Sequence, residues 1–261
     1  MTMLYPYLWM LSTSFKSSNE VVNNFDVYLI PKEFTFANYP RLLKIIPFFR
    51  GFMNTMIIEL TVIIVGTFST ALGAFAFAKM RFKGKNVIFL ILLSGMMIPF
   101  VVVLTPQFTA YNKLGLFDTL WPLILPGLFG NIGMLFFLKQ YMQTIPDSLF
   151  EAAKIEGASY FRMFFEIMMP VAMPAIAAQI VFWFLGIWND ILGPDIYLTR
   201  LESKTLQVMI KYLDSQSGGG TLMNQPLIMA GAVLSSIPTL LLYILFQKHF
   251  VNSMLLSGIK E

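Results

Sequence analysis

Long apolar runs separated by short polar segments set the pattern of this chain. Apolar residues dominate about 52–78, 87–105, 120–141, 171–192 and 227–246. Each run is close to the roughly 20 residues that an α-helix needs to cross about 30 Å of hydrocarbon. A shorter run at about 1–12 leads into Ser12, Thr13 and Ser14. It lacks the basic start and small-residue cleavage site of a secretory signal and reads as the outer end of a first membrane helix, shortened here. The pattern predicts an all-α membrane protein with six spans, the first partial, forming a single transmembrane domain over 1–261.

Within the runs, small and helix-breaking residues add detail. The 52–78 span ends in Ser69, Thr70, Ala71, Gly73, Ala74, Ala76 and Ala78, which let helix backbones approach closely. Pro99 interrupts the third span. Pro122, Pro126, Gly127, Gly130 and Gly133 interrupt the fourth, where kinks are expected. Residues 107–119 are expected as a short outer loop, and 247–261 as an inner tail.

Composition narrows the class further. The chain is 57% hydrophobic and 12% charged, about half the charged share of a soluble domain. It has no cysteine, which excludes a disulfide framework, thiolate metal sites and a cysteine nucleophile. Its one histidine, His249, cannot build a histidine metal cluster or a nucleophilic triad alone. No Gly-rich phosphate loop ending in Lys-Ser or Lys-Thr is present, so the chain does not hydrolyse nucleotide by itself. No basic patch is interleaved with stacking aromatics, which argues against nucleic acid as a partner.

Charge also bears on orientation. Lys79, Arg81, Lys83 and Lys85 form the densest basic cluster, with no acid among them, and place the 79–85 loop in the cytoplasm. Over all loops, inner and outer segments hold nine of the 18 Lys and Arg residues each, so the short loop beside the span ends carries the assignment.

The polar stretch 142–170, between the fourth and fifth spans, reads as helix, turn, helix. Asp147 and Ser148 follow Pro146 as a helix start, Glu151 to Glu156 are good helix formers, and Gly157 breaks the run. A second short helix from about 159 to 168 carries Phe161, Phe164, Phe165 and Met168. Shape alone leaves two readings open, an ordinary interhelical loop and an element that docks on a partner.

Glu59 is the one carboxylate well inside a predicted span. An intramembrane acid is a functional candidate, but at about two turns from the outer end a hydrogen-bonded, water-reachable carboxylate is unremarkable, and the structural reading comes first. Trp188, Asn189 and Asp190 cluster at the end of the fifth span, as an interface anchor or as the rim of a polar pathway. The loop after it carries Tyr197, Lys211 and Tyr212, then Ser215, Gln216 and a glycine run including Gly218 and Gly219.

Glu151-Ala152-Ala153, Gly157, Ile167 and Pro170, at this spacing, resemble the EAA-loop signature of binding-protein-dependent ABC importer permeases. Met169 stands where that family usually has leucine, a swap that keeps volume and hydrophobicity. Ile145-Pro146, Ile155-Glu156-Gly157-Ala158-Ser159 and Trp188-Asn189 look like the carbohydrate-uptake, maltose-transporter-like branch. The likeness runs from Phe34 to the tail, and departs from the family at the shortened first span.

The resemblance implies a mechanism and a set of partners. The 142–170 loop would be the coupling element on a cytoplasmic ATPase, with Glu151 as a polar contact, Ala152 and Ala153 allowing close approach, and Gly157 making the turn. ATP and Mg²⁺ would sit on a partner ATPase dimer, with no cofactor on this chain. A second, non-identical permease subunit and an extracytoplasmic solute-binding protein would complete the importer in the cell membrane. Ser215, Gln216, Gly218 and Gly219 would reach the binding protein, and residues 257–260 the ATPase interface. Trp188, Asn189, Asp190 and Glu59 are the candidates for the substrate pathway. The cargo expected is a sugar or oligosaccharide. The alternatives are another solute, such as glycerol phosphate, a polyamine or a peptide, or an ion-coupled carrier built on Glu59.

Overall fold

The computed structural model describes residues 3–23, 29–215 and 224–257, with the backbone alone at 214, 215 and 248–257. Every regular element among them is helical. The first half holds α1 (Tyr5–Ser14), α2 (Ser18–Asn23), α3 (Asn38–Ile45), α4 (Phe48–Thr61), α5 (Thr67–Lys79), α6 (Lys85–Gly95), α7 (Phe100–Lys113), α8 (Trp121–Leu128) and α9 (Ile132–Gln143). The second half holds α10 (Asp147–Ile155), α11 (Tyr160–Met163), α12 (Met169–Trp188), α13 (Leu192–Tyr197), α14 (Leu206–Ser215) and α15 (Gln225–Ser257). Two π turns, Val62–Gly66 and Phe164–Met168, join α4 to α5 and α11 to α12 into continuous helices.

The all-α membrane class follows directly from the apolar runs, but the span boundaries differ from the sequence expectation. Four helices are long and apolar enough to cross a bilayer: Phe48–Lys79, Trp121–Gln143, Tyr160–Trp188 and Gln225–Gln247. A fifth span arises if α6 and α7, bent by 90° at their junction, are taken together. The count of six is not reached among the described residues. With ten residues, α1 is about 15 Å long, half the hydrocarbon thickness.

The expected straight third span is the bent pair. Pro99 has no N–H to continue the ladder and biases Ile98 away from helix, so α6 stops at Gly95 and α7 restarts at Phe100. Helix α7 then runs to Lys113, through most of the expected 107–119 loop. The fifth span begins earlier than expected, because the short helix after Gly157 does not end before Pro170. The π turn Phe164–Met168 loosens the backbone ladder one turn ahead of Pro170, where the missing N–H would otherwise break an α-helix, and the helix passes through. The last helix continues to Ser257, into the expected tail.

The described residues divide into two compact units. The first comprises Met1–Ile57, Asp118–Leu120 and Trp188–Leu242. Here the Asn38 amide donates to the carbonyls of Ser14 and Lys16, closing α3 onto the end of α1. Phe15 packs among Phe34, Phe36 and Tyr39. Asn54 gathers the carbonyls of Glu202, Ser203 and Lys204, each within 3.0 Å, and the buried Thr55 hydroxyl caps Leu206 N–H at 3.0 Å. These bonds fasten α14 to α4. A side-chain carbon on Gly51 would sit 2.5 Å from the Met209 sulfur and 3.3 Å from the Leu206 Cα, so a larger residue would force Met209 to shift.

The second unit comprises Ile58–Phe117, Trp121–Ile187 and Tyr243–Glu261. Its core joins α5, α9, α10 and the helix Tyr160–Trp188 through Ala71, Ala74, Phe75, Leu138, Met142, Phe150, Phe164 and Met168. The small residues of α5 do what their size allows: Ala71 and Ala74 are fully buried in this core. At Gly66 a side-chain carbon would lie 2.3 Å from the Gly127 carbonyl and 2.5 Å from Trp183.

Candidate functional site

The stretch 146–170 is built from its ends inward. Pro146 holds extended backbone just before α10, and Asp147 puts an acid in the first turn, where the helix dipole favours it. Lys79, at the end of α5, donates to the Ile145 carbonyl at 2.6 Å and pairs with Asp147, fixing the start of α10. The Lys79 side chain is 5% exposed and Asp147 77% exposed, so the lysine is buried under the helix it anchors. One face of α10 is held by Phe150, which packs on Phe75.

The end of α10 explains the spacing of the motif. Gly157 has φ +80°, in the left-handed region where glycine bears no penalty. Its N–H donates to the Lys154 carbonyl at 3.1 Å, and the Ala158 N–H donates to the Ala153 carbonyl at 2.9 Å. These two bonds are the Schellman stop of a helix, with Gly157 at C′ and Ala153 at C3. Ala153 and Ala158 both pack against the apolar core, the contact that accompanies such a stop. The run Ala-x3-Gly is therefore the spacing a Schellman turn requires. Ser159 starts the next helix, its hydroxyl accepting from Arg162 N–H at 3.3 Å.

The remaining motif residues divide by exposure. Glu151, Ala152 and Gly157 are exposed, and Ala153 is half-buried. Ile167 lies in the π turn, half-buried against the core beside fully buried Phe164 and Met168. Pro170 is exposed on the helix that follows. The element thus presents Glu151 and Ala152 beside exposed Leu149, Ile155 and Phe161, while Phe150, Met163, Phe164 and Met168 root it in the second unit's core.

The pathway candidates lie in different units. Glu59, in the second, is fully buried, and neither carboxyl oxygen has a hydrogen-bond partner among the described residues. The water-reachable carboxylate expected from its position is not what the fold builds, because Glu59 points into the packed interior rather than toward the end of its helix. Gln179, which the sequence reading passed over as one polar residue in an apolar run, is likewise fully buried with both amide atoms unpartnered.

In the first unit Trp188 is a core residue. It is 1% exposed, donates from Nε1 to the Ser235 carbonyl at 3.1 Å and meets Phe52 edge to face. Asn189 is exposed. Asp190 is half-buried and accepts from the Gly193 N–H at 3.2 Å, capping the turn into α13. Ser215 ends α14, while Gln216, Gly218, Gly219 and residues 258–260 lie outside the described residues.

Two charged clusters in the first unit join residues that sequence spacing does not pair. Asp195 accepts from both Lys204 and Lys211 at 2.9 Å, and Asp118 pairs with Arg200. The two lysines hold the Asp195 carboxyl below the ordinary carboxylate value, Lys211 first and then Lys204. The only sequence trace of either cluster is an excess of charge in loops that carry no spacing signal.

Residues 69–255 match the family described as "Binding-protein-dependent transport system inner membrane component". The arabinooligosaccharides transport system permease protein AraQ of Bacillus subtilis (strain 168) is 30% identical, with 98% of this chain and 90% of that protein covered. The galactooligosaccharides transport system permease protein GanQ of the same organism is 33% identical over 98% of this chain and 90% of its own length. The diacetylchitobiose uptake system permease protein NgcG of Streptomyces coelicolor is 31% identical over 96% and 82%. Among solved structures, a bacterial ABC transporter involved in the import of the acidic polysaccharide alginate has a chain that superposes with TM-score 0.82 at 25% identity, covering 95% of this chain and 91% of that one. A family match over more than half the chain, relatives at 30% identity along nearly its whole length, and a shared all-helical fold agree: this chain belongs to the family of inner membrane components of binding-protein-dependent transport systems.

Proposed function

We propose that the chain is a permease subunit of an ABC importer that carries a sugar or oligosaccharide into the cell by ATP-driven alternating access. The observation that carries this reading is the α10 element: a short helix ended by a Schellman stop at Gly157, rooted in a buried core and presenting Glu151 and Ala152 outward. An exposed helix whose outer face combines Glu151 and Ala152 with apolar Leu149 and Ile155 suits docking in a cleft, and its core attachment transmits movement to the spans as a rigid body. The names of the relatives, permeases of arabino-, galacto- and chito-oligosaccharide systems, support the cargo class.

On this reading the docking partner is a cytoplasmic ATPase dimer that holds ATP and Mg²⁺, and α10 lies on the cytoplasmic side with the basic 79–85 loop. A second permease subunit and an extracytoplasmic binding protein complete the assembly. An alginate importer of the same fold, solved with a pentasaccharide-bound periplasmic protein, supports the binding-protein partner.

Deletion of the gene followed by uptake of labelled arabino-, galacto-, chito- and malto-oligosaccharides tests the reading. At least one uptake should disappear and return with the wild-type gene. It should not return with Ala152→Trp, which adds bulk to the docking face without touching the core. Undiminished uptake of all four classes in the deletion strain, or full rescue by Ala152→Trp, would count against it.

A further inference from the structure

A cavity of about 330 Å³ lies in the second unit, beside the start of α10. Four basic side chains line it: Lys79, Arg81, Lys85 and Lys154. Two carboxylates join them, Asp147 and Glu151. Asp147 is already paired with Lys79. That leaves Arg81, Lys85 and Lys154 against Glu151, a net positive hollow. Lys85 donates to the Met80 carbonyl at 3.0 Å, which uses one of its three N–H groups, and the Arg81 guanidinium, with five, is exposed. Tyr160, with the Lys154 ammonium 5.9 Å from its ring centre, lines the same wall. Phe75 and Phe150 line an apolar side of the hollow.

The position of the cavity limits what can fill it. Lys79 is the last residue of a candidate membrane span, and Lys85 is the first of the bent pair. The hollow therefore lies where two helices leave the apolar layer, at the depth of phospholipid headgroups. Just beyond Lys85, α6 exposes Val87, Ile88, Leu90 and Ile91, apolar surface that acyl chains cover in a bilayer. A basic pocket at the end of membrane helices, continuous with an apolar flank, matches an anionic lipid in both of its parts.

We propose that this cavity binds a phosphate group, supplied by the headgroup of an anionic phospholipid. The site shares α10 with the docking face: Asp147, Glu151 and Lys154, all exposed on that helix, line it. Headgroup binding would hold the 79–85 loop against the start of α10.

Native mass spectrometry of the assembled, detergent-purified transporter, titrated with dioleoyl phosphatidylglycerol or dioleoyl phosphatidylcholine, tests the lipid. Equilibrium dialysis with radiolabelled inorganic phosphate tests the soluble source. Wild type should retain phosphatidylglycerol in preference to phosphatidylcholine and bind no phosphate at millimolar concentration. Arg81→Gln should weaken phosphatidylglycerol about fivefold, and Arg81→Gln with Lys154→Gln more. Arg81→Lys should retain most of the binding, and Lys83→Gln, outside the cavity, should leave it unchanged. Phosphate binding sensitive to Arg81→Gln, without headgroup preference, would keep the anion site and overturn its lipid source. Equal retention of both lipids by wild type without phosphate binding, or unaltered binding in the double variant, would overturn the proposal.

Discussion

Asp118 and Arg200, 82 positions apart in sequence, form an ion pair in which the guanidinium Nε donates to Oδ2. The other carboxyl oxygen accepts from the Thr199 N–H at 2.9 Å, and Asp118 N–H donates to the Tyr197 carbonyl at 3.0 Å. One residue thus ties residues 118–120 to the segment that leaves α13. Asp118 does so with φ 58°, left-handed backbone that aspartate tolerates better than most residues.

This anchor should be measurable in stability. Burial pushes the Asp118 carboxyl up, but the N–H groups of Thr199 and Arg200, then the side chains of Arg200 and Ser203, outweigh it and hold it below the ordinary carboxylate value. A depressed value means stabilisation that is complete above the unfolded pKa of about 3.9 and is lost as pH falls through the lower folded value. Asp118→Ala should cost about 0.5–1.5 kcal/mol at pH 7, the net worth of a hydrogen bond whose Thr199 donor is exposed and can turn to water. Asp118→Asn keeps an acceptor for that N–H and should cost less. Thermal unfolding of the purified protein at pH 7 checks the order of the two, and the gap between Asp118→Asn and wild type should close in strong acid.

Gly157 offers a test that separates backbone strain from crowding. A side-chain carbon there meets nothing within 4 Å, so substitution in this chain costs only the left-handed φ of +80°. That is about 1–2 kcal/mol for an ordinary L-residue and less for asparagine. Gly157→Asn should fold, assemble and transport close to wild type, while Gly157→Val should weaken the Schellman stop and transport. If Gly157→Asn folds normally yet abolishes uptake, crowding of a docked partner rather than strain is the cause. Hydrogen exchange of Gly157 and Ala158, set beside uptake rates, distinguishes the cases.

How far the sequence could be read depends on whether a feature is local. The Ala153–Gly157 spacing was legible because a Schellman stop is built from six consecutive residues, 153–158, and the pattern survives without tertiary information. Helix class was legible for the same reason. The path of the helix through Pro170 was not, because it depends on a π turn stabilised by burial of Phe164 and Met168 in a core contributed by four helices. The roles of Trp188 and Asp190 needed partners elsewhere in the chain: Ser235 lies 47 positions beyond Trp188. Glu59 was misplaced because distance from a helix end says nothing about which face is packed.

Lys79 and Asp147 should govern the order of α10. The hydrogen bond from Lys79, and then its charge, hold the Asp147 carboxyl below the ordinary value. The contribution is therefore present at neutral pH and disappears as pH drops through that lowered value. Asp147 is open to solvent, so high salt should weaken the pair. Lys79→Met removes more, because the Ile145 carbonyl also loses its donor. Amide hydrogen exchange over residues 145–155 should quicken modestly in Asp147→Asn and more in Lys79→Met. Unchanged protection in Lys79→Met would mean that the Phe150 contact alone seats the helix.

Glu59 and Gln179 are the least satisfied groups in the second unit, four polar atoms with no partner among the described residues. Burying a polar group without a hydrogen bond is costly, and replacing it by an apolar side chain of similar shape removes that cost. Glu59→Leu should therefore stabilise the protein by about 1–3 kcal/mol, a rise of roughly 2–4 °C in unfolding midpoint for each kcal/mol. Glu59→Gln leaves polar atoms in the same place and should change the midpoint little. Uptake should survive Glu59→Gln if the residue serves packing alone. A Glu59→Leu variant that melts higher but no longer transports, beside a Glu59→Gln variant equally inactive, would identify the carboxyl as part of the transport cycle, retained at the expense of stability. A lowered midpoint in Glu59→Leu would instead show that the carboxyl is satisfied in the membrane, by water or by a neighbouring subunit. Thermal unfolding and uptake measured on the same three preparations decide among these outcomes.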